Sequence, residues 1–263
     1  MDFYGTLGTA CRDEETIYQL FRAGMTGARL NLSHTTLEDC DSLLRECYWP
    51  AARRAGVEAR LIVDLQGPEL RIGTLEVPVH LEQGGNVFLG EKGIPIPEEV
   101  IAAAELGHRI SLDDSALLLE VREKEEKALC CRVLRGGILG SRKSLALLGA
   151  EVDTPTLTQA DLENLKKAAK YGVTDVLQPF VRGKADLDYL RQVLDELGLE
   201  HVRIMAKIEN RRGLEHLEEI ADRADVICIA RGIWGTVCRC GNCLRRRNGL
   251  QDAAERRNET FSW

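Results

Sequence analysis

Residues 59–71 read Ala-Arg-Leu-Ile-Val-Asp-Leu-Gln-Gly-Pro-Glu-Leu-Arg, a short apolar run that ends at the carboxylate of Asp64 and leads into a Gly-Pro turn. A run that contains β-branched residues and is bounded by turn residues predicts a buried β-strand. A stretch of helical period at 37–55 precedes it, and another strand-like run at 28–32 precedes that helix. This alternation predicts βα units arranged around a parallel sheet.

The same alternation continues on both sides and gives six predicted strands. They lie near 3–7 and at 28–32, 59–64, 173–177, 202–207 and 226–230. Thr158, with Asp161 at the third helical position, predicts a helix start before the fourth strand. The predicted fold class is therefore α/β, of the (β/α)8 TIM-barrel type, but incomplete, because six strands are two fewer than such a barrel needs.

Between the third and fourth strands the pattern changes to short alternating segments broken by Gly and Pro. These segments lie at 87–89, 116–121 and 129–134, and they predict a small all-β domain inserted into the βα series. The chain is thus divided into a first part of the barrel domain (1–71), an inserted β domain (72–148), a continuation of the barrel domain (149–232) and an aberrant tail (233–263). In the tail no strand or helix pattern is found that could complete a barrel.

Composition excludes several classes of protein. The 263 residues are 44% hydrophobic and 29% charged, which is typical of a globular chain with a sizeable core. A net charge of −7 argues against a dedicated nucleic-acid or membrane-surface binder. The start at Met1 lacks the features of a signal peptide, and no apolar run reaches the length of a membrane span. The nine cysteines are expected to be reduced thiols, and the expected location is the cytoplasm.

Charged side chains follow the predicted strands at their carboxyl ends, where a βα barrel carries its reactive groups. Arg29 belongs to the second strand, Asp64 ends the third, Lys207 and Glu209 end the fifth, and Arg231 follows the sixth. Cations and carboxylates that meet at one mouth suit a multiply charged phosphate held beside a divalent metal ion.

Five motifs in this order, around an inserted β domain, make the chain resemble the amino-terminal part of pyruvate kinase from Gly5 to Gly232. They are Ala-Arg-Leu-Asn-Leu-Ser-His at 28–34, Gly-Pro-Glu-Leu-Arg at 67–71, Gly-Gly-Ile-Leu-Gly-Ser-Arg-Lys at 136–143, Lys-Ile-Glu-Asn at 207–210 and Ala-Arg-Gly at 230–232. The resemblance implies a catalytic barrel with a β lid domain inserted after its third strand. It also implies transfer of the phosphoryl group of phosphoenolpyruvate to ADP, giving pyruvate and ATP in glycolysis.

The resemblance also implies the site residues, with Mg2+ and K+ as cofactors. Lys207 matches the catalytic lysine that stabilises the phosphoryl group, and Arg29, Lys207 and Gly232 match substrate-binding positions. Glu209 matches a magnesium ligand, and His34, Arg71 and Lys143 match nucleotide-binding positions. The potassium ligands implied are Asn31, Ser33, Asp64 and the backbone carbonyl of Leu65. Whether the chain forms a homo-oligomer is left open.

The sequence departs from the family pattern most clearly after Gly232. The family's Arg-Gly-Asp-Leu-Gly reads Arg-Gly-Ile-Trp-Gly at 231–235, so that Ile233 replaces a second magnesium carboxylate. Codons permitted for these residues, read one base earlier, can spell the family's Asp-Leu-Gly. We hypothesise that a lost base just before Ile233 shifted the frame and truncated the barrel, which sequencing of the gene would test. The truncated chain is then expected to be weakly active or inactive.

Other functions are less consistent with the residues. A non-catalytic protein that binds nucleotide or a full-length homologue is the main alternative, and turnover of phosphoenolpyruvate would exclude it. A lyase of the same barrel superfamily is disfavoured by the inserted domain with Lys143. Cys238, Cys240 and Cys243 have a spacing that could suit a zinc or iron–sulfur site. Under the frame-shift hypothesis, these cysteines are not expected to bind a metal.

Overall fold

The computed structural model describes residues 1–33, 35–150, 152–229 and 260–262. The chain divides into two compact units, the first comprising Met1–Pro68 and Thr156–Trp263 and the second Glu69–Pro155. The predicted domain borders at residues 72 and 148 stay a prediction. Within the described ranges, no helix has the length and apolar character needed to span a membrane.

The first unit opens with three parallel strands separated by helical segments, as the sequence predicts. Asp13 begins the first helix, because its carboxylate accepts a hydrogen bond from the backbone N–H of Thr16 at 2.8 Å. The elements are β1 (Tyr4–Thr6), α1 (Glu14–Arg22), β2 (Gly27–Asn31), a π-helical segment (Leu43–Tyr48) that continues into α2 (Trp49–Ala55), and β3 (Arg60–Asp64).

The helix predicted from Leu37 begins later than expected, so this boundary is wrong. Residues 37–40 form turns, although Thr36 and Asp39 each accept a hydrogen bond from the other residue's backbone N–H, as in a helix cap. The N–H of Leu37 donates to the side chain of Asn164 at 2.9 Å instead of to a helical carbonyl. Asn164 lies 127 residues away in the sequence, so the local pattern gives no sign of this contact.

The second unit is a small antiparallel β structure, which confirms the predicted inserted β domain. The elements are β4 (Val79–Leu81), β5 (Asn86–Gly90), α3 (Glu98–Ala103), β6 (Arg109–Leu112), β7 (Leu117–Lys124), β8 (Ala128–Arg135), β9 (Gly137–Leu139) and β10 (Leu145–Leu148). A five-stranded sheet has the order β10-β6-β7-β8-β5, and β4 pairs with β9 in a separate two-stranded sheet. The short helix α3 has Glu98 and Glu99 in its first turn, where carboxylates favour a helix start.

The βα series then resumes in the first unit. The predicted capping box is confirmed: the hydroxyl of Thr158 and the carboxylate of Asp161 each accept a hydrogen bond from the other residue's backbone N–H. Gly172 ends the following helix at φ +70°, and a β-carbon there would lie 3.0 Å from the ring of Trp49. The elements are α4 (Gln159–Leu165), α5 (Ala168–Tyr171), β11 (Asp175–Gln178), α6 (Lys184–Glu196), β12 (Arg203–Ile208), α7 (Arg211–Glu215), α8 (Leu217–Ala221), β13 (Val226–Ile229) and β14 (Thr260–Ser262).

The parallel sheet has the order β1-β2-β3-β11-β12-β13-β14, and every neighbouring pair is parallel. Its first six strands confirm the predicted incomplete barrel sheet. The seventh, β14, lies in the tail, where the sequence pattern predicts no strand, and this expectation is wrong at Thr260–Ser262. A strand at the edge of a sheet offers free backbone N–H and C=O groups, so pairing with it needs no side-chain pattern.

The two faces of the parallel sheet bury different residues, because successive side chains of a strand point to opposite faces. One face packs against the helices and holds the large core. The other face carries a smaller apolar cluster in the middle of the strands, made of Ile62, Leu177, Met205, Val226 and Cys228. On this second face, charged residues lie beyond the apolar cluster at both ends of the strands.

The cluster at the amino ends of the strands centres on Asp175, whose side chain is fully buried. Nε of Arg203 donates to Oδ1 of Asp175 at 2.6 Å, and Nη1 of Arg60 lies 3.5 Å from Oδ2. The hydroxyl of Thr174 also donates to Oδ2, at 2.6 Å. Groups at this end of βα strands contribute to stability rather than to chemistry, so we treat the cluster as structural.

Candidate active site

The opposite, carboxyl ends of the strands bring together four of the residues predicted from the sequence. Arg29 lies in β2, Asp64 is the last residue of β3, and Lys207 lies near the end of β12. Glu209 follows β12 by one residue and is directed to the same face as Lys207, because side chains two apart share a face. Among the described residues, two cations and two carboxylates therefore lie on the second face of this sheet at the carboxyl ends of its strands.

These four side chains form one network of ion pairs. The guanidinium of Arg29 donates through Nε, at 2.9 Å, and through Nη2 to Oδ2 of Asp64. Nζ of Lys207 lies 3.0 Å from Oε1 of Glu209 and 3.9 Å from Oδ2 of Asp64. Asp64 and Glu209 expose only 4% and 5% of their side chains, whereas Arg29 exposes 21%. The carboxylates are thus held inside, with the cationic Arg29 nearer to solvent.

The oxygen atoms of this network fit the hard cations implied by the resemblance. Oδ1 of Asp64 is buried and makes no hydrogen bond, so one carboxylate oxygen lacks a partner. Asn31, which pairs in register with Asp64, uses its Oδ1 to accept a hydrogen bond from the N–H of Ser33 at 3.1 Å. Leu65 is buried beside them. Within the described ranges, however, no three His, Cys, Asp or Glu side chains converge as a ready-made metal site.

Cys228 lies next to the network and is absent from the predicted site. Its backbone pairs in register with Lys207, and its side chain is fully buried. Burial, assisted by the negative charges of Glu209 and Asp64, raises the pKa of its thiol to about 12. The thiol is therefore protonated at neutral pH and is not a nucleophile. In the sequence it is indistinguishable from an ordinary core residue of a strand.

Two predicted nucleotide-binding residues lie in the second unit, and each has a carboxylate partner there. Arg71 donates from Nη2 to Oε2 of Glu69 at 2.7 Å and from Nη1 to the carbonyl of Arg142 at 3.0 Å. Nζ of Lys143 lies 2.9 Å from Oδ1 of Asp113. The acidic partners Glu69 and Asp113 were not predicted.

Other predictions lie outside the described residues. They are the nucleotide-binding role of His34, the substrate-binding role of Gly232, the frame shift at Ile233 and the cysteine cluster at 238–243. These stay predictions.

Residues that support the strand-end loops were also missed. The buried carboxylate of Asp161, predicted only as part of a helix cap, also accepts hydrogen bonds from the backbone N–H groups of Gln66 and Gly67 at 2.8 and 3.0 Å. It thereby fixes the loop that follows Asp64. Asp161 lies 95 residues from Gln66 in the sequence, so no local pattern predicts this contact.

The fold and the strand-end network define a protein of the parallel βα-barrel class, with its charged site at the carboxyl ends of the strands. The family described as "Pyruvate kinase, barrel domain" matches residues 2–240, and the chain belongs to the pyruvate kinase family.

Individual relatives agree with this assignment. The chain is 36% identical over 233 residues to the pyruvate kinase of Aeropyrum pernix, a match that covers 88% of this chain and 50% of that protein. It is 30% identical over 241 residues to that of Geobacillus stearothermophilus, covering 88% and 41%. It is 32% identical over 242 residues to that of Chlamydia pneumoniae, covering 88% and 49%. The chain thus spans about half the length of the curated relatives it matches.

Proposed function

We propose that this site transfers the phosphoryl group of phosphoenolpyruvate to ADP, giving pyruvate and ATP in the cytoplasm. The observation that carries the proposal is the position of Nζ of Lys207, 3.0 Å from Glu209 and 3.9 Å from Asp64, in a chain of the pyruvate kinase family. A compact ammonium group at this place can stabilise negative charge that develops on phosphoryl oxygens.

The other residues that the family resemblance implies each have a proposed part. Arg29 binds the substrate phosphate, because a guanidinium offers several N–H donors in a planar fork. Glu209 provides the carboxylate for Mg2+, and the oxygen atoms of Asn31, Ser33, Asp64 and Leu65 provide the site for K+. Gly232 is proposed to bind substrate, and His34, Arg71 and Lys143 are proposed to bind the nucleotide.

Bound Mg2+ would neutralise charge on the transferred phosphoryl group, and bound K+ would add positive charge beside the substrate. The residues of this chain orient the substrate and keep the carboxylates away from water. The ion pairs of Asp64 with Arg29 and of Glu209 with Lys207 hold all four groups in place before substrate arrives, which lowers the cost of organising the site.

The rate is expected to be low for these 263 residues on their own. They span about half the length of the relatives, and position 233 is isoleucine, where the family pattern has an aspartate. Slow but metal-dependent turnover distinguishes the proposal from the non-catalytic alternative, for which association with nucleotide occurs without any turnover.

Substitution of Arg29 by lysine tests the proposed substrate contact. Lysine keeps the positive charge beside Asp64 but lacks the planar fork, so we expect phosphoenolpyruvate to bind about tenfold more weakly. Titration calorimetry with phosphoenolpyruvate, in the presence of Mg2+ and K+, measures the affinity. Arg122→Ala is the matched control, because Arg122 pairs with Glu120 in the second unit. Equal affinity of the unsubstituted chain and Arg29→Lys would contradict the proposed role.

A further inference from the structure

The carboxylate of Glu209 is oriented from two sides. Oε1 faces Nζ of Lys207 at 3.0 Å, and Oε2 accepts a hydrogen bond from the backbone N–H of Phe180 at 3.2 Å. Phe180 lies in the loop that follows β11, the strand adjacent to β12. The direction of the Phe180 peptide therefore helps to set the direction of the carboxylate proposed to bind magnesium.

The backbone of Phe180 has an unfavourable conformation. Its φ of +54° lies in the left-handed region, which residues other than glycine rarely adopt. Such a conformation persists only where the surrounding structure holds it, and it is common at functional sites. Phe180 belongs to none of the three apolar clusters that the described residues form, so packing into those clusters does not account for its conformation.

The side chain of Asn210 holds this loop in place. Its Nδ2 donates hydrogen bonds to the carbonyls of Phe180 and Val181, both at 3.0 Å. Its Oδ1 accepts a hydrogen bond from the N–H of Gly213 at 2.8 Å and so caps α7. One amide group thus has two separable contacts: the oxygen caps a helix, and the nitrogen holds the carbonyl of Phe180, on the other side of the Phe180 α-carbon from the N–H that donates to Glu209.

We propose that Asn210 is a positioning residue: by holding the carbonyl of Phe180 it keeps this residue in its left-handed conformation, and so aims the Phe180 N–H and the Glu209 carboxylate bonded to it for binding of a divalent cation. The claim that a divalent cation binds here rests on the proposed function. Residues that orient metal ligands typically change metal affinity by 10- to 100-fold when they are replaced. The effect should therefore appear in binding of the metal alone, without substrate.

Asn210→Ser separates the two contacts, because serine is a good helix cap but lacks the amide donor. We expect this variant to bind Mn2+ about tenfold more weakly than the unsubstituted chain, as measured by electron paramagnetic resonance of free Mn2+. The double variant Asn210→Ser with Phe180→Gly should recover most of that affinity, because glycine adopts positive φ without strain. A general loss of structure would not be repaired by removing the Phe180 ring.

Amide hydrogen exchange at Phe180 tests the same idea without metal. In the unsubstituted chain we expect a protected N–H, lost in Asn210→Ser and regained in the double variant. This pattern would support the positioning role even if no form of the chain bound Mn2+, an outcome that would instead overturn the magnesium part of the proposed function. Unchanged Mn2+ affinity in Asn210→Ser, no recovery in the double variant, or an unprotected Phe180 N–H in the unsubstituted chain would overturn the inference.

Discussion

Substitution of Lys207 by alanine is expected to slow phosphoryl transfer by about 10³-fold, the size of effect seen when a group that stabilises transition-state charge is removed. Nζ of Lys207 lies 3.0 Å from Oε1 of Glu209, and the side chain of Lys207 is 17% exposed. Its loss removes the donor for the phosphoryl oxygens and leaves two neighbouring carboxylates without that positive charge. Rapid-quench measurement of a single turnover, with the chain in excess over phosphoenolpyruvate, gives the rate of the chemical step.

The matched control for this prediction is Lys166→Ala. Lys166 forms an exposed ion pair with Glu163 at 2.7 Å in the same unit, so its loss should leave the rate unchanged. Circular dichroism should show that both variants are folded. A folded Lys207→Ala variant that transfers the phosphoryl group as fast as Lys166→Ala would remove Lys207 from the mechanism.

Substitution of Asp175 by alanine is expected to lower the free energy of unfolding by about 3–5 kcal/mol, the effect of removing one partner from a buried ion pair. Asp175 is fully buried and pairs with Arg203 at 2.6 Å and Arg60 at 3.5 Å. Without it, two cations at the amino ends of the strands lose their counter-charge. The melting temperature should fall by roughly 10 °C in calorimetric unfolding.

Asp188→Ala is the control for this stability prediction, because Asp188 is exposed and its two partners, Arg223 at 3.2 Å and Lys184 at 3.5 Å, are exposed as well. Exposed pairs contribute at most about 1 kcal/mol, so this variant should melt close to the unsubstituted chain. If Asp175→Ala does not fold, Asp175→Asn, which keeps the shape but not the charge, should still melt well below the control. Equal melting temperatures for the Asp175 and Asp188 variants would refute a structural role for the amino-end cluster.

The sequence predicts the strand-end site because strands of a parallel sheet direct their carboxyl ends to one edge. Lys207 and Glu209, two residues apart, share a face in the structure, and Arg29 and Asp64 join them from neighbouring strands. Predicting this part of the site requires only the order of the strands and the two-residue period with which side chains alternate along a strand. Two of the motifs that carry the family resemblance, at 28–34 and 207–210, begin in β2 and β12 of this sheet.

Other parts of the structure depend on contacts that no local pattern records. The hydrogen bond from the N–H of Phe180 to Glu209 joins two loops that lie 29 residues apart in the sequence. Phe180 has a positive φ in the structure, and the residue type phenylalanine does not predict that conformation. The amino-end cluster at Asp175 depends on the register of three strands. In both cases the local sequence permits several conformations, and tertiary packing selects one of them.

A coupled assay of pyruvate formation from phosphoenolpyruvate and ADP, with and without Mg2+ and K+, tests the central claim most directly. The account predicts slow formation of pyruvate by the unsubstituted chain that requires Mg2+, increases with K+ and is lost in Lys207→Ala. A folded chain that binds phosphoenolpyruvate or ADP but forms no pyruvate under any of these conditions would contradict the proposed phosphoryl transfer and favour a non-catalytic binding protein.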